Sequence, residues 1–144
     1  MGALASSGNP QHTLLASREA EGYPGPSLIL AYCHCIAHGF DLQRGMRQQY
    51  LAAASGYWPL FRYDPAMRAI GENPFRLDSP RPTIKFRDYA YNELRYKALA
   101  QARPEEARQL LAAGQAAIDE KYRTYEEMAG WASTRFHPQT PALA

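Results

Sequence analysis

Cysteine and histidine side chains gather in one short stretch directly after an apolar run. The stretch reads Cys33-His34-Cys35-Ile36-Ala37-His38-Gly39, and the apolar run before it is Leu28–Tyr32. In an open α/β sheet, ligand sites collect where a strand ends and the chain enters a loop. Thiolates are soft ligands that suit transition metals and iron–sulfur clusters. The sequence therefore points to a metal or redox centre at this position.

The small number of cysteines limits what this stretch can bind. The chain has two cysteines, whereas an iron–sulfur cluster usually takes four thiolates. A zinc site could use Cys33, Cys35, His34 or His38, although structural zinc commonly takes four ligands in two separated pairs. A catalytic cysteine could take His38 as its base. In a third hypothesis, Cys33 is a small buried hydrophobe and both histidines are loop residues that form hydrogen bonds.

Composition and charge exclude several classes of protein. The chain has 144 residues, of which 46% are apolar and 21% charged, as expected for a single globular domain. The net charge of +2 comes without a run of Lys or Arg, so we expect no nucleic-acid partner. No apolar stretch approaches the roughly 18 residues of a spanning helix, so we expect no membrane partner either. Two cysteines this close make a poor disulfide framework, which favours a cytoplasmic location.

The first half of the chain has the pattern of a helix-rich α/β protein. Asn9 and Pro10 predict the start of a helix, which the breakers that begin at Gly22 would end. The run Leu28–Tyr32 predicts a strand that is buried on both faces. We expect the strand that would precede this helix in a βαβ unit to be missing from the sequence. Residues 41–55 predict a second helix.

The second half of the chain predicts an irregular connection followed by helices. Residues 57–63 are aromatic and extended, and Pro59 favours a sheet edge or a strand start. Residues 86–102 predict one helix, and Pro104 predicts the start of the last one. The predicted divisions are residues 1–63 (α/β part), 64–85 (irregular connection), 86–132 (C-terminal helical segment) and 133–144 (disordered tail).

Three separate motifs resemble one known enzyme family. They are YPGPSLILAY followed by CIAHG (residues 23–39), SGYWPLFRYDP (residues 55–65) and GENPFRLDS (residues 71–79). The first is similar to the end of the thiamine-diphosphate domain of the pyruvate:ferredoxin (flavodoxin) oxidoreductases, and the other two are similar, in order and spacing, to the stretch that follows it in that family. The resemblance implies a fragment of a doubly wound thiamine-diphosphate-binding domain, with one or two strands and two C-terminal helices.

The resemblance also implies a role for Cys35. Enzymes of this family are homodimers that convert pyruvate to acetyl-CoA and pass electrons through 4Fe-4S clusters to ferredoxin or flavodoxin. Cys35 corresponds to the last ligand of the cluster nearest the thiamine, and the other three ligands lie in a family segment that this sequence lacks. Nothing is implied for Cys33, which is not a ligand position in the family.

The resemblance predicts that this chain is incomplete as an enzyme. The Gly-Asp-Gly motif that binds magnesium and thiamine diphosphate in the family is not present in the sequence. We therefore expect a C-terminal fragment that is inactive alone and whose partner is the remainder of the oxidoreductase. The alternative is a small stand-alone protein with a structural or zinc-binding interaction role.

Overall fold

A four-stranded mixed sheet forms the centre of the first half of the chain. The computed structural model describes residues 1–132, so the predicted tail 133–144 lies outside the described residues. The strands are β1 (Gly2–Ser6), β2 (Leu28–Tyr32), β3 (Phe61–Tyr63) and β4 (Phe75–Leu77), in the spatial order β2-β1-β3-β4. Strand β1 pairs parallel with β2 and antiparallel with β3, and β3 pairs antiparallel with β4.

Helix α1 (Pro10–Gly22) connects β1 to β2 and completes a βαβ unit. The Asn9 side chain caps the helix by accepting a hydrogen bond from the His12 amide at 3.1 Å. The prediction that the strand before this helix is missing was wrong, because Gly2–Ser6 supplies it. Small residues such as Ala3 and Ala5 have little strand propensity, and their burial between neighbouring strands fixes the strand instead.

The strand β2 has the predicted bounds but not the predicted surroundings. It lies at the edge of the described sheet, and Leu28 and Leu30 are 63% and 51% exposed. The prediction of burial on both faces was therefore wrong for the described chain. An apolar run alone does not distinguish a central strand from an edge strand whose outer side awaits a partner.

The helices after α1 follow the predicted order, but two of the predicted helices differ in their bounds. Residues Leu42–Arg44 form a 3-10 turn that leads into α2 (Gly45–Ala54). The single helix predicted over 86–102 is instead α3 (Phe86–Ala90) and α4 (Leu94–Ala102). The last helix, α5 (Pro104–Ala129), begins at the predicted proline. None of the helices in residues 1–132 is both long and apolar enough to cross a membrane.

The helix-rich α/β class is confirmed, while the predicted count of one or two strands was too low. Strands β3 and β4 have three residues each, which is too short for a periodic signal. Strand β4 and a 3-10 helix (Pro65–Ile70) both lie within the stretch predicted to be an irregular connection.

Aromatic side chains form the core between the helices. The Tyr57 ring stacks on Tyr89 and Phe86, with centroid distances of 4.9 and 5.7 Å, and Ala52 and Ile118 pack around them. The predicted aromatic segment 57–63 thus contributes to core packing. Within it, the Trp58 indole donates a hydrogen bond to the Ala5 carbonyl at 2.9 Å, which joins the helical core to the sheet.

A network of charged side chains fixes α1 to the sheet. Arg62 on β3 donates to both carboxylate oxygens of Asp78, at 2.9 and 2.8 Å, and also pairs with Glu19 of α1. The His12 Nε2 atom lies 2.9 Å from Asp78 Oδ2. Burial alone would raise the pKa of Asp78, but the hydrogen bonds from Arg62 and His12 outweigh it and lower the pKa to about 2.

Candidate functional site

The loop that carries the cysteines begins where β2 ends and closes in a short turn. Residues Ile36–His38 form a 3-10 turn, in which the His38 amide donates to the Cys35 carbonyl at 3.0 Å. The Gly39 amide donates to the Ile36 carbonyl at 3.1 Å, and Gly39 has a φ of 66°. This left-handed conformation favours glycine and ends the turn.

Both thiols are exposed. The Cys33 thiol donates a weak hydrogen bond to the neighbouring His34 carbonyl, with a sulfur–oxygen distance of 3.4 Å. The hypothesis that Cys33 is a buried hydrophobe was therefore wrong. Cys35 has extended backbone (φ −115°, ψ 133°), and its thiol forms no hydrogen bond within residues 1–132.

His34 fixes the loop to helix α2. Its Nδ1 atom lies 2.8 Å from Gln49 Nε2, and its ring meets Phe40 edge-on at a centroid distance of 5.2 Å. The ring also packs over Gly45, where an added methyl group would lie 2.6 Å from His34 Cε1. The predicted role of His34 as a hydrogen-bonding loop residue is confirmed, and it serves to hold the loop on α2.

The His38 ring faces a buried carboxylate. Its Nδ1 atom is buried and lies 3.5 Å from Glu93 Oε2, without a hydrogen bond that meets normal geometry in the described chain. A catalytic cysteine would need this ring as a base, yet residues 1–132 contain no hydrogen bond between His38 and the Cys35 thiol. The geometry does not favour the catalytic-cysteine hypothesis.

The residues around Cys35 do not assemble a complete metal site. Within residues 1–132, no three His, Cys, Asp or Glu side chains lie close enough together to hold a metal ion. A structural zinc site takes four ligands, so the zinc hypothesis finds no support in this part of the chain. A metal centre bound at Cys35 would need its other ligands from outside the described residues.

Glu93 lies beneath the loop and was missed at the level of sequence. Its side chain is fully buried between α3 and α4, where it accepts hydrogen bonds from Gln48 Nε2 at 3.0 Å and Arg95 Nε at 2.6 Å. Gln48 also donates to the Tyr89 carbonyl at 3.2 Å. The sequence predicts one continuous helix that includes Glu93. Asn92, a residue type common in turns, is the local signal for the break between α3 and α4 at which Glu93 is buried.

Two tyrosines join the end of β2 to this buried layer. The hydroxyl groups of Tyr32 and Tyr89 lie 2.6 Å apart, and Tyr89 is fully buried. Burial raises the pKa of Tyr32, and burial together with the hydrogen bond to Tyr32 raises the pKa of Tyr89. Both phenols therefore stay neutral at physiological pH, and one hydrogen bond fixes β2 to α3 just before Cys33.

No family model matches the chain. Over 126 residues the chain is 42% identical to a pyruvate-flavodoxin oxidoreductase of Nostoc, an alignment that covers 88% of this chain and 10% of the relative. The chain is similar to one segment of the pyruvate-flavodoxin and pyruvate:ferredoxin oxidoreductases. The pyruvate:ferredoxin oxidoreductase of Moorella thermoacetica is 44% identical over 111 residues, which are 77% of this chain and 10% of the relative.

The resemblance that the three motifs carry is thus confirmed across most of the chain. A third oxidoreductase, from Rhodospirillum rubrum, is 41% identical over 127 residues and 88% of this chain. The chain spans only about a tenth of the length of each of these oxidoreductases. Most of what an oxidoreductase of that size contains therefore lies outside the matched segment.

Proposed function

We propose that this chain supplies one ligand, Cys35, to a 4Fe-4S cluster of a pyruvate:ferredoxin or pyruvate-flavodoxin oxidoreductase. The supporting observation is an exposed thiol without a hydrogen-bonding partner in the described chain, held at the end of β2 in a loop fixed to α2 and α4. The sequence similarity to oxidoreductases of that name supports the same assignment.

The donor set fits one quarter of such a cluster. A 4Fe-4S cluster takes four thiolates, and Cys35 offers one that no neighbouring group in residues 1–132 competes for. The Cys33 thiol donates a weak hydrogen bond to a backbone carbonyl, and Cys33 is assigned no ligand role. The remaining three thiolates would come from residues outside this sequence. When bound, the cluster would accept and pass on single electrons.

The residues of this chain would set the position of the cluster. The turn 36–39 fixes the Cys35 backbone, and His34 holds the loop on α2. The Leu94 amide holds the loop on α4 through its hydrogen bond to the Gly39 carbonyl. A ligand on a fixed loop needs less reorganisation when the metal centre forms or changes its charge. In this proposal the chain contributes positioning, while the pyruvate chemistry takes place elsewhere in the enzyme.

The other parts of the proposal follow from the same resemblance. Residues 1–63 belong to the thiamine-diphosphate-binding domain, 64–85 connect it to a helical segment, and 86–132 form that segment. Thiamine diphosphate and magnesium bind to the remainder of a cytoplasmic, homodimeric oxidoreductase, which oxidises pyruvate to acetyl-CoA and reduces ferredoxin or flavodoxin. The isolated chain is inactive because it holds one cluster ligand and no thiamine motif.

Anaerobic reconstitution of the isolated chain tests the missing-ligand argument. The purified chain is incubated with iron and sulfide, desalted, and analysed for iron, sulfide and mass. We expect no stable 4Fe-4S cluster at one per chain, because two thiols cannot replace four. A stoichiometric cluster on the monomer would show that the ligands are all present in this sequence and would contradict the proposal.

A further inference from the structure

Among residues 1–132, Glu93 is the only buried carboxylate. A charged group removed from water costs several kcal/mol unless partners compensate for it, and even a well-paired buried ion pair adds little net stability. Glu93 is compensated by Gln48 from α2 and by Arg95 from α4. A buried charge of this kind is better explained by the geometry that it fixes than by the stability that it adds.

The side chain of Glu93 reaches the turn that follows Cys35. Its Oε2 atom, which accepts from Arg95, lies 3.5 Å from the buried Nδ1 of His38. The His38 amide in turn donates to the Cys35 carbonyl at 3.0 Å. His38 thus links the Glu93 carboxylate to the backbone of Cys35, because its ring contacts the carboxylate and its amide donates a hydrogen bond to the Cys35 carbonyl.

A second contact comes from the residue next to Glu93. The Leu94 amide donates to the Gly39 carbonyl at 2.7 Å, at the other end of the same turn. Glu93 itself has extended backbone (φ −98°, ψ 136°) at the start of α4, which turns its side chain inward while the next amide faces the loop. The break between α3 and α4 therefore presents a side chain and a backbone donor to the two ends of one turn.

We propose that Glu93 is a positioning residue for Cys35. Its carboxylate, held by Gln48 and Arg95, fixes the turn 36–39 through His38 and so sets where the Cys35 sulfur stands. The value of this position rests on the proposed ligand role of Cys35, but the positioning itself is measurable in the metal-free chain.

Site-resolved amide hydrogen exchange of the full metal-free chain tests the proposal. The reporters are the amides of His38 and Gly39, and the reference is the Thr83 amide, which bonds to the Ala54 carbonyl in another part of the core. We expect Glu93→Ala to raise exchange at both reporters about tenfold or more, while the reference changes little. Equal acceleration at all three amides would reveal a general structural role and overturn the proposal.

Two further variants separate positioning from loss of fold. His38→Ala removes the contact with the carboxylate but leaves both hydrogen bonds from Gln48 and Arg95, and it should loosen the turn as Glu93→Ala does. The double variant should be no looser than Glu93→Ala, because both changes break the same link. Glu93→Gln keeps the shape of the side chain but replaces one of its two accepting oxygens with an NH2 donor, so it should restore only part of the protection. Unchanged reporter exchange in His38→Ala would refute the proposal even if Glu93→Ala does not fold.

A matched control excludes a general effect of charge. Glu72 is an exposed carboxylate that pairs with Arg76 at 3.5 Å, and Glu72→Ala should leave the reporter amides unchanged. The ligand role of Cys35 is tested separately, by cluster content in an enzyme with Cys35→Ser. A loosened turn in the Glu93 variant with a normal cluster in the Cys35 variant would retain the positioning role and reject the ligand role. An unchanged turn in the Glu93 variant with a lost cluster in the Cys35 variant would reject the positioning role and retain the ligand role.

Discussion

Replacement of Gly39 by alanine should destabilise the chain because the turn after Cys35 has no room for a side chain. With a φ of 66°, an alanine costs about 1–2 kcal/mol in backbone conformation alone. The added methyl group would lie 2.6 Å from Leu94 Cβ and 3.2 Å from Leu94 Cδ2. Relief of such overpacking typically costs a further 1–3 kcal/mol or so. The free energy of unfolding should therefore fall by about 2–5 kcal/mol.

The chain offers a matched control for this substitution. Gly71 also ends a 3-10 helix and has a φ of 77°, and among residues 1–132 no atom beyond its chain neighbours lies within 4 Å of an added methyl group. Gly71→Ala should therefore cost only the backbone part, about 1–2 kcal/mol. Urea unfolding followed by circular dichroism measures both variants, provided that the slope m is unchanged. Equal losses in the two variants would refute the close approach between Gly39 and Leu94.

Two further predictions concern ionisable side chains. The hydrogen bonds from Arg62 and His12 lower the pKa of Asp78 from 3.8 to about 2, so the ionised carboxylate stabilises the fold above pH 4. The free energy of unfolding should therefore fall by about 2 kcal/mol as the pH falls from 4 to 2. Urea unfolding across this range should show the loss in the wild type and a much smaller one in Asp78→Asn. Tyr32→Phe leaves the buried Tyr89 hydroxyl without its partner and should cost about 1–3 kcal/mol. Because burial raises the pKa of Tyr32, ultraviolet titration of Tyr32→Phe against the wild type should show the loss of a phenol that ionises above the ordinary tyrosine range, whereas loss of a phenol that ionises within that range would contradict its burial.

The sequence predicted those elements that have local signals. Asn9 with Pro10 and Pro104 mark helix starts by their own chemistry, and α1 and α5 begin where these residues predict. Strand β1 has no such signal, because Ala3 and Ala5 form a strand only through pairing with β2 and β3. The environment of Glu93 is also non-local, since its side chain meets Gln48 and His38 from other elements.

The candidate site was predictable only in part. The family resemblance singled out Cys35, but the chemistry of one Cys/His stretch left a zinc site, a catalytic cysteine and a loop with no ligand role all open. Exposure of the thiol and of β2 required the three-dimensional structure, because an apolar run is compatible with either a central or an edge strand. Glu93 was not predictable, because its partners Gln48 and His38 lie more than 40 residues away in the sequence.

Cluster content in a paired set of cysteine variants tests the central claim most directly. The variants Cys35→Ser and Cys33→Ser are made in a full-length oxidoreductase that carries residues 1–132 as its matching segment. Iron analysis and electron paramagnetic resonance of the reduced enzyme then count the clusters. We predict that Cys35→Ser loses or alters one 4Fe-4S signal and reduces ferredoxin poorly while it still binds thiamine diphosphate, and that Cys33→Ser matches the wild type. An unchanged set of clusters and unchanged ferredoxin reduction in Cys35→Ser would contradict the account.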